Sequence, residues 1–96
     1  MSSKQIFKGK KILVTGGTGS FGNMLVNELL GFDPKEIIVF SRDEDKQERM
    51  RLFYKNKKLR FVLGDVRDIR SVKETVRGVD IIIHAAALKR YPRQPS

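Results

Sequence analysis

Cysteine and tryptophan are absent from this chain, and its 96 residues include only three prolines and one histidine. Without cysteine there is neither a disulfide framework nor a thiolate metal site, and a reducing, cytoplasmic setting is expected. No apolar run approaches the ~20 residues that a membrane span requires. The opening MSSKQIFKGK has no apolar core of the kind a secretory signal carries. Acid is scarce as well: 11 Asp and Glu stand against 20 Lys and Arg, a formal charge of +9. Such an excess raises nucleic acid as a partner, but its distribution argues otherwise. Basic residues run from Lys4 to Arg93, mixed with acids in the middle, and the two tyrosines, Tyr54 and Tyr91, each have a basic residue directly on one side only. The charge reads as solvated helix faces and tails, so neither nucleic acid nor a membrane is expected as a partner. A chain of this length makes one small domain with a thin core.

What the chain does have is a strand, a glycine-rich turn and a helix in immediate succession, from Lys11 to Gly22 (KILVTGGTGSFG). Ile12, Leu13 and Val14 form a short apolar run of the kind found in buried parallel strands. Gly16 supplies a backbone conformation that a Cβ disfavours, turning the chain off the strand. Gly19 allows a pyrophosphate to approach the backbone, and Gly22 lets the helix lie close to the strand. The helix N-terminus then presents unpaired N–H groups to the phosphates. The competing reading is a glycine-rich turn that binds nothing.

The same alternation continues. Residues 1–10 read as a polar lead-in, with Ile6 and Phe7 packing on the sheet edge. A first helix over about Ser20–Leu30 puts Phe21, Leu25 and Leu29 on its buried stripe, with Gly31 as its C′ residue. Glu36–Phe40 is a second strand. The charged helix that follows is capped by Ser41 or Asp43 and anchored by Met50 and Phe53. Leu59–Leu63 is a third strand, and Asp68 caps a helix carrying Ile69, Val72 and Val76. Gly78 ends that helix, and Asp80–His84 runs as a fourth strand into Ala85–Ala87.

This β-α-β-α-β-α-β pattern predicts an α/β fold, the N-terminal half of a Rossmann-type doubly wound parallel sheet with strand order 3-2-1-4. The half-domain is expected over residues 1–87, with the sheet cut short after strand four and an unstructured tail over 88–96. Ile81, Ile82 and Ile83 would leave an apolar edge open to self-association. Ligands in such sheets sit at the carboxyl ends of the strands, where Thr15–Gly19, Ser41-Arg42, Gly64-Asp65 and His84 with the alanines all fall.

The end of the second strand bears on cofactor choice. An NAD enzyme usually places an acid there for the ribose 2′-hydroxyl. This chain has Ser41-Arg42, with Lys46 one turn further on. A guanidinium pairs with a 2′-phosphate through two parallel hydrogen bonds, which favours NADP, with NAD the alternative. Asp43 partly offsets that attraction. Asp65-Val66 suits an adenine contact, or is simply a loop acid opening the next turn. Ala85 and Ala87 leave room for the nicotinamide ribose and pyrophosphate, or serve close helix–sheet packing. His84 reads as a buried, hydrogen-bonded histidine with no chemical role.

TGGTGSFGN, VFSRDEDKQ, LRFVLGDVRD and GVDIIIHAAALK together resemble the extended short-chain dehydrogenase/reductases. Among these the chain is most similar to the polysaccharide-biosynthesis nucleotide-sugar dehydratases of the UDP-N-acetylglucosamine 4,6-dehydratase (inverting) type. The resemblance covers Lys11 to about Lys89. It implies NADP contacts from Thr18, Gly19, Ser20, Phe21, Ser41, Arg42, Lys46, Asp65, Val66, Ala85 and Lys89. It also implies oxidation of the sugar at C4, elimination of water across C5–C6, and return of the hydride at C6. The family's catalytic Tyr-x-x-x-Lys and acid/base cluster lie beyond strand four. Tyr54 and Lys58 match the spacing but sit on the wrong segment, so no catalytic residue is assigned. The chain alone is therefore expected to bind NADP without turning over a UDP-sugar. The alternative is a free-standing nucleotide-binding module acting with a partner chain.

Overall fold

Ile12, Leu13 and Val14 are each no more than 2% exposed, and the fold is layered around them. They lie in β1 (Lys11–Thr15), flanked by β2 (Glu36–Ser41) and β4 (Ile81–His84), with β3 (Leu59–Leu63) outside β2. The computed structural model describes residues 3–16 and 18–85. The sheet order is β3-β2-β1-β4 and every pairing is parallel, as the alternation predicts. In register, Leu13 faces Ile38 on one side and Ile82 on the other.

Alternation along the strands divides the core in two. Ile12, Val14, Ile37 and Val39 pack with Val26 and Leu29 of α2 (Ser20–Leu30) and Met50 of α3 (Glu44–Tyr54). Leu13, Ile38 and Phe40 point the other way, onto Val72 and Val76 at α4 (Ile69–Thr75). Each large aliphatic buried here contributes about 1.5–3 kcal/mol, against about 1 kcal/mol for a helix cap. The central strands therefore dominate the stability of the fold.

Several details differ from the sequence reading. The polar lead-in contains a helix, α1 (Ser3–Phe7), whose Phe7 stacks on Phe32 at 5.7 Å while Ile6 stays 44% exposed. On α2 the buried positions are Gly22, Val26 and Leu29; Phe21 and Leu25 only flank that face. Gly31 keeps a right-handed conformation (φ −75°), and the left-handed residue of this turn is Asp33 (φ 56°). Asp43, not Ser41, caps α3, its carboxylate accepting from the Lys46 N–H at 3.0 Å. Ser41 is instead the last residue of β2.

Met50 anchors α3 as expected, but Phe53 is 78% exposed and the buried partner of Met50 is Gln47. Ile69 is 66% exposed, because the face of α4 that meets the sheet runs through Val72, Thr75 and Val76. Asp68 does cap α4, accepting from the Ser71 N–H at 3.4 Å. Gly78 closes the segment with φ +71°. Among the described residues β4 pairs with β1 alone, and Ile82, 48% exposed, is the apolar position of that edge. Ala87, Lys89 and the tail 88–96 lie outside the described residues.

Gly64, directly after β3, admits no side chain. A Cβ there would stand 2.6 Å from Cζ of Phe40 and 2.8 Å from Oγ of Ser71. Phe40 is wholly buried and cannot swing away. Gly64→Ala is expected to destabilise the fold by about 1–3 kcal/mol, the cost of overpacking. A thermal melt reads this as a clear fall in Tm, and an unchanged Tm would contradict it.

Candidate functional site

Parallel pairing brings the carboxyl ends of all four strands to one edge, at Thr15, Ser41, Leu63-Gly64 and His84. There β1 gives way to the glycine turn. Gly16 has φ +69°, the left-handed region glycine tolerates, and its N–H bonds to the Phe40 carbonyl at 2.9 Å. This ties the turn to the end of β2. Gly19 is the N-cap of α2, in extended conformation (φ −75°, ψ 179°) and with no side-chain cap. The starts of α3 and α4, by contrast, are closed by aspartate. Among the described residues other than its chain neighbours, only the Gly16 oxygen, at 3.9 Å, lies within 4 Å of where a Gly19 Cβ would stand. Uncapped N–H groups behind a side-chain-free approach fit the pyrophosphate of a dinucleotide. Thr18 and Phe21 are partly buried beside this turn, Ser20 is exposed and Gly22 is buried.

Beside the turn lies a cleft of about 630 Å³, lined by Thr15, Gly16, Ser41, Arg42, Asp65, Val66 and His84 among others. Thr18, Lys46 and Arg49 border a second cleft, between α2 and α3. Thus the expected residues Gly16, Ser41, Arg42, Asp65 and Val66 meet at one edge, and Lys46 stands on the neighbouring rim.

Ser41 is fixed by a residue that sequence reasoning missed. Gln47 is 3% exposed, and its Nε2 donates to Oγ of Ser41 at 3.0 Å and to the Val62 carbonyl at 2.9 Å. It locks α3 to the ends of β2 and β3. In a helix otherwise dense with charge, one neutral amide among solvated residues is the only trace of this role in the sequence.

Asp65 is the most strongly engaged acid of the site. Arg67 grips its carboxylate with Nη2 at 2.8 Å and Nε at 3.2 Å, and donates its backbone N–H at 2.9 Å. The Arg42 guanidinium stands 3.5 Å away. The Arg67 hydrogen bonds, ahead of the charges of Arg67 and Arg42, hold the Asp65 carboxyl well below the usual carboxylate range. Arg42 therefore meets the cleft already paired. Val66 is 53% exposed, an apolar ledge beside it.

His84 is exposed rather than buried, and its Nδ1 lies 2.8 Å from the Thr15 hydroxyl. The end of the strand exposes its ring to the cleft. Ala85 is 1% exposed within the core, the packing alternative of its two readings. Tyr54 and Lys58 are structural: Tyr54 donates to Asn23 Oδ1 at 2.6 Å, and Lys58 pairs with Asp33 at 2.6 Å. Burial pushes the Tyr54 hydroxyl up, the reverse of what proton transfer requires.

A parallel 3-2-1-4 half-sheet with an uncapped glycine turn at its switch point is a Rossmann-type nucleotide-binding unit. The family described as "Polysaccharide biosynthesis protein" matches residues 12–95, and the chain belongs to it. The chain is similar to a UDP-glucose 4-epimerase of Rickettsia akari, 52% identical over 91 residues that make up 91% of this chain and 27% of that protein. The chain thus spans about a quarter of the length of the curated relatives it matches. Among solved structures, Pen from Bacillus thuringiensis superposes with a TM-score of 0.76 at 33% identity, over 79% of this chain and 24% of that one. WbmF of Bordetella bronchiseptica, solved with NAD+ and UDP, shares the fold: TM-score 0.68 at 17% identity, over 85% of this chain and 24% of that one.

The Arg67 grip on Asp65 is directly measurable. By carboxyl-detected NMR, Asp65 is expected to titrate well below the ordinary aspartate value of about 3.9, and Arg67→Ala to raise it toward that value. Because the folded-state pKa is depressed, its contribution to stability is complete above the unfolded pKa and is lost as the pH falls through the folded one. An Asp65 pKa unchanged by Arg67→Ala would refute the assigned cause.

Proposed function

We propose that this chain is the dinucleotide-binding part of a nucleotide-sugar-modifying enzyme, and that it takes NADP in preference to NAD. The observation that carries the reading is the positive-φ exit at Gly16 and the start of α2 at Gly19, without a side-chain cap, at the junction of four parallel strand ends. In this reading the pyrophosphate lies over Gly16, Gly19 and the first turn of α2, and the adenosine lies in the cleft between Arg42 and Asp65-Val66. Ser41-Arg42, where an acid would favour NAD, and Lys46 beyond it support the 2′-phosphate.

The sugar chemistry follows from what the relatives share. The dehydratase type that the motifs resemble oxidises C4 of a UDP-sugar, and a 4-epimerase must invert that same carbon. A bound nicotinamide supplies the hydride acceptor that both reactions need. The particular activity proposed is the 4,6-dehydration of UDP-N-acetylglucosamine. The second reading, epimerisation at C4, is favoured by the 52%-identical relative named UDP-glucose 4-epimerase. In either case the chain's own residues bind and orient the dinucleotide. Asp65 meets the adenine amine only by sharing a carboxylate that Arg67 already holds.

Calorimetric titration of the chain with each dinucleotide tests the proposal. NADP is expected to bind more tightly than NAD, and Arg42→Ala to remove about 1–3 kcal/mol of that preference. Equal or tighter binding of NAD would overturn the cofactor assignment, and binding of neither would overturn the reading as a whole.

A further inference from the structure

The basic residues that look evenly spread along the chain are not evenly spread in the fold. Since the strands are parallel, the segments leading into them meet at the edge opposite the glycine turn. Backbone hydrogen bonds knit this edge together: Gly9 N–H to the Asp33 carbonyl at 2.9 Å, Lys35 N–H to Lys10 at 2.9 Å, Ile37 N–H to Lys58 at 2.8 Å and Asp80 N–H to Lys11 at 2.8 Å. Lys8 and Lys10 enter β1, Lys35 enters β2, Lys55 and Lys57 enter β3, and Arg77 precedes β4. All six are exposed, and none forms an ion pair among the described residues.

The carboxylates on these same connections and strand starts are already engaged. Asp33 pairs with Lys58 at 2.6 Å, Glu36 with Lys11 and Arg60 at 3.5 Å each, and Asp80 accepts the Lys11 backbone N–H at 2.9 Å. The negative ends of the helix dipoles account for a cation beside each helix terminus. That covers Lys8 and Lys55, which directly follow α1 and α3, and Arg77, two residues past α4, and leaves Lys10, Lys35 and Lys57 unexplained.

We propose that this edge docks on an anionic phospholipid surface, leaving the glycine turn and its cleft facing away from the lipid. Five of the six free cations are lysines: compact, hydrated charges on flexible stems. These suit a diffuse negative surface better than a phosphate in one fixed geometry, which arginine would grip in bidentate fashion. Phe7 and Phe32, the aromatics beside Lys8 and Lys35, stack on each other rather than standing apart to receive bases. Charge without an aromatic platform favours a membrane surface over single-stranded nucleic acid. The attachment is peripheral and electrostatic, with no apolar insertion.

Co-sedimentation of the whole chain with vesicles tests this. The chain is expected to bind phosphatidylcholine vesicles containing about one-third phosphatidylglycerol and not pure phosphatidylcholine. Raising the salt from about 0.05 M to about 0.3 M should weaken binding about tenfold or more. The combined change Lys8→Glu, Lys35→Glu and Lys57→Glu should weaken it at least about tenfold. Arg49→Glu, Arg70→Glu and Lys73→Glu, exposed on α3 and α4, alter the net charge equally and should weaken it less than about threefold. Equal losses from the two sets, no binding to anionic vesicles, or equal binding to neutral ones would overturn the proposal. So would tighter binding of a DNA duplex through the same lysines, which would make nucleic acid the partner.

Discussion

Parallel pairing of four short strands is the constraint from which the rest of this structure follows. Strands this apolar have to be covered on both faces, so helices must return the chain after every strand. All carboxyl ends then fall on one edge and all amino ends on the other. The glycine turn exists because β1, buried at the centre, has to leave the sheet in the space between β2 and β4 and enter α2 at once. Gly16 makes that exit with a positive φ and a hydrogen bond back to Phe40. The same exit leaves the start of α2 without a side-chain cap, the feature on which the proposed pyrophosphate contact rests.

The two edges have opposite characters. At the carboxyl edge, groups are held in place before any ligand arrives: Ser41 by Gln47, Asp65 by Arg67, and Thr15 beside His84. Such fixing reduces the ordering cost of binding. At the amino edge, long lysine side chains extend from connecting segments whose acids are already paired. One edge suits a defined small molecule and the other a broad field, and the central strands hold the two apart.

Much of this was legible from the residues in order. Lys11–Thr15, Ser20–Leu30 and Leu59–Leu63 were readable, because short apolar strands and a four-residue apolar spacing, bounded by glycine and polar turns, have few other interpretations. Phe53 and Ile69 were not. Helical spacing shows that apolar residues share a stripe, but not which side of the helix meets the sheet. Gln47 was hidden for a different reason. Its burial depends on an acceptor from β2 and another from β3, 6 and 15 positions away, that only the assembled edge brings together. The residues of the site could be named from their places at strand ends. The pairing of Asp65 with Arg67 and Arg42 depends on side-chain reach and could not be read off spacing. A linear scan also mixes cations that the parallel sheet sorts to opposite edges, so the gathering of Lys8, Lys10, Lys35 and Lys57 at the amino edge could not be read from their order.

The central claim is that a dinucleotide occupies the carboxyl edge and leaves the opposite edge untouched. Amide chemical-shift mapping of the ¹⁵N-labelled chain during addition of NADP tests it most directly. The account predicts that the large shifts cluster at Gly16, Gly19–Gly22, Ser41–Lys46 and Asp65–Arg67, while Lys8–Lys10, Lys35 and Lys55–Lys58 stay in place. Shifts concentrated at those lysine-bearing segments, with the glycine turn unmoved, would contradict it.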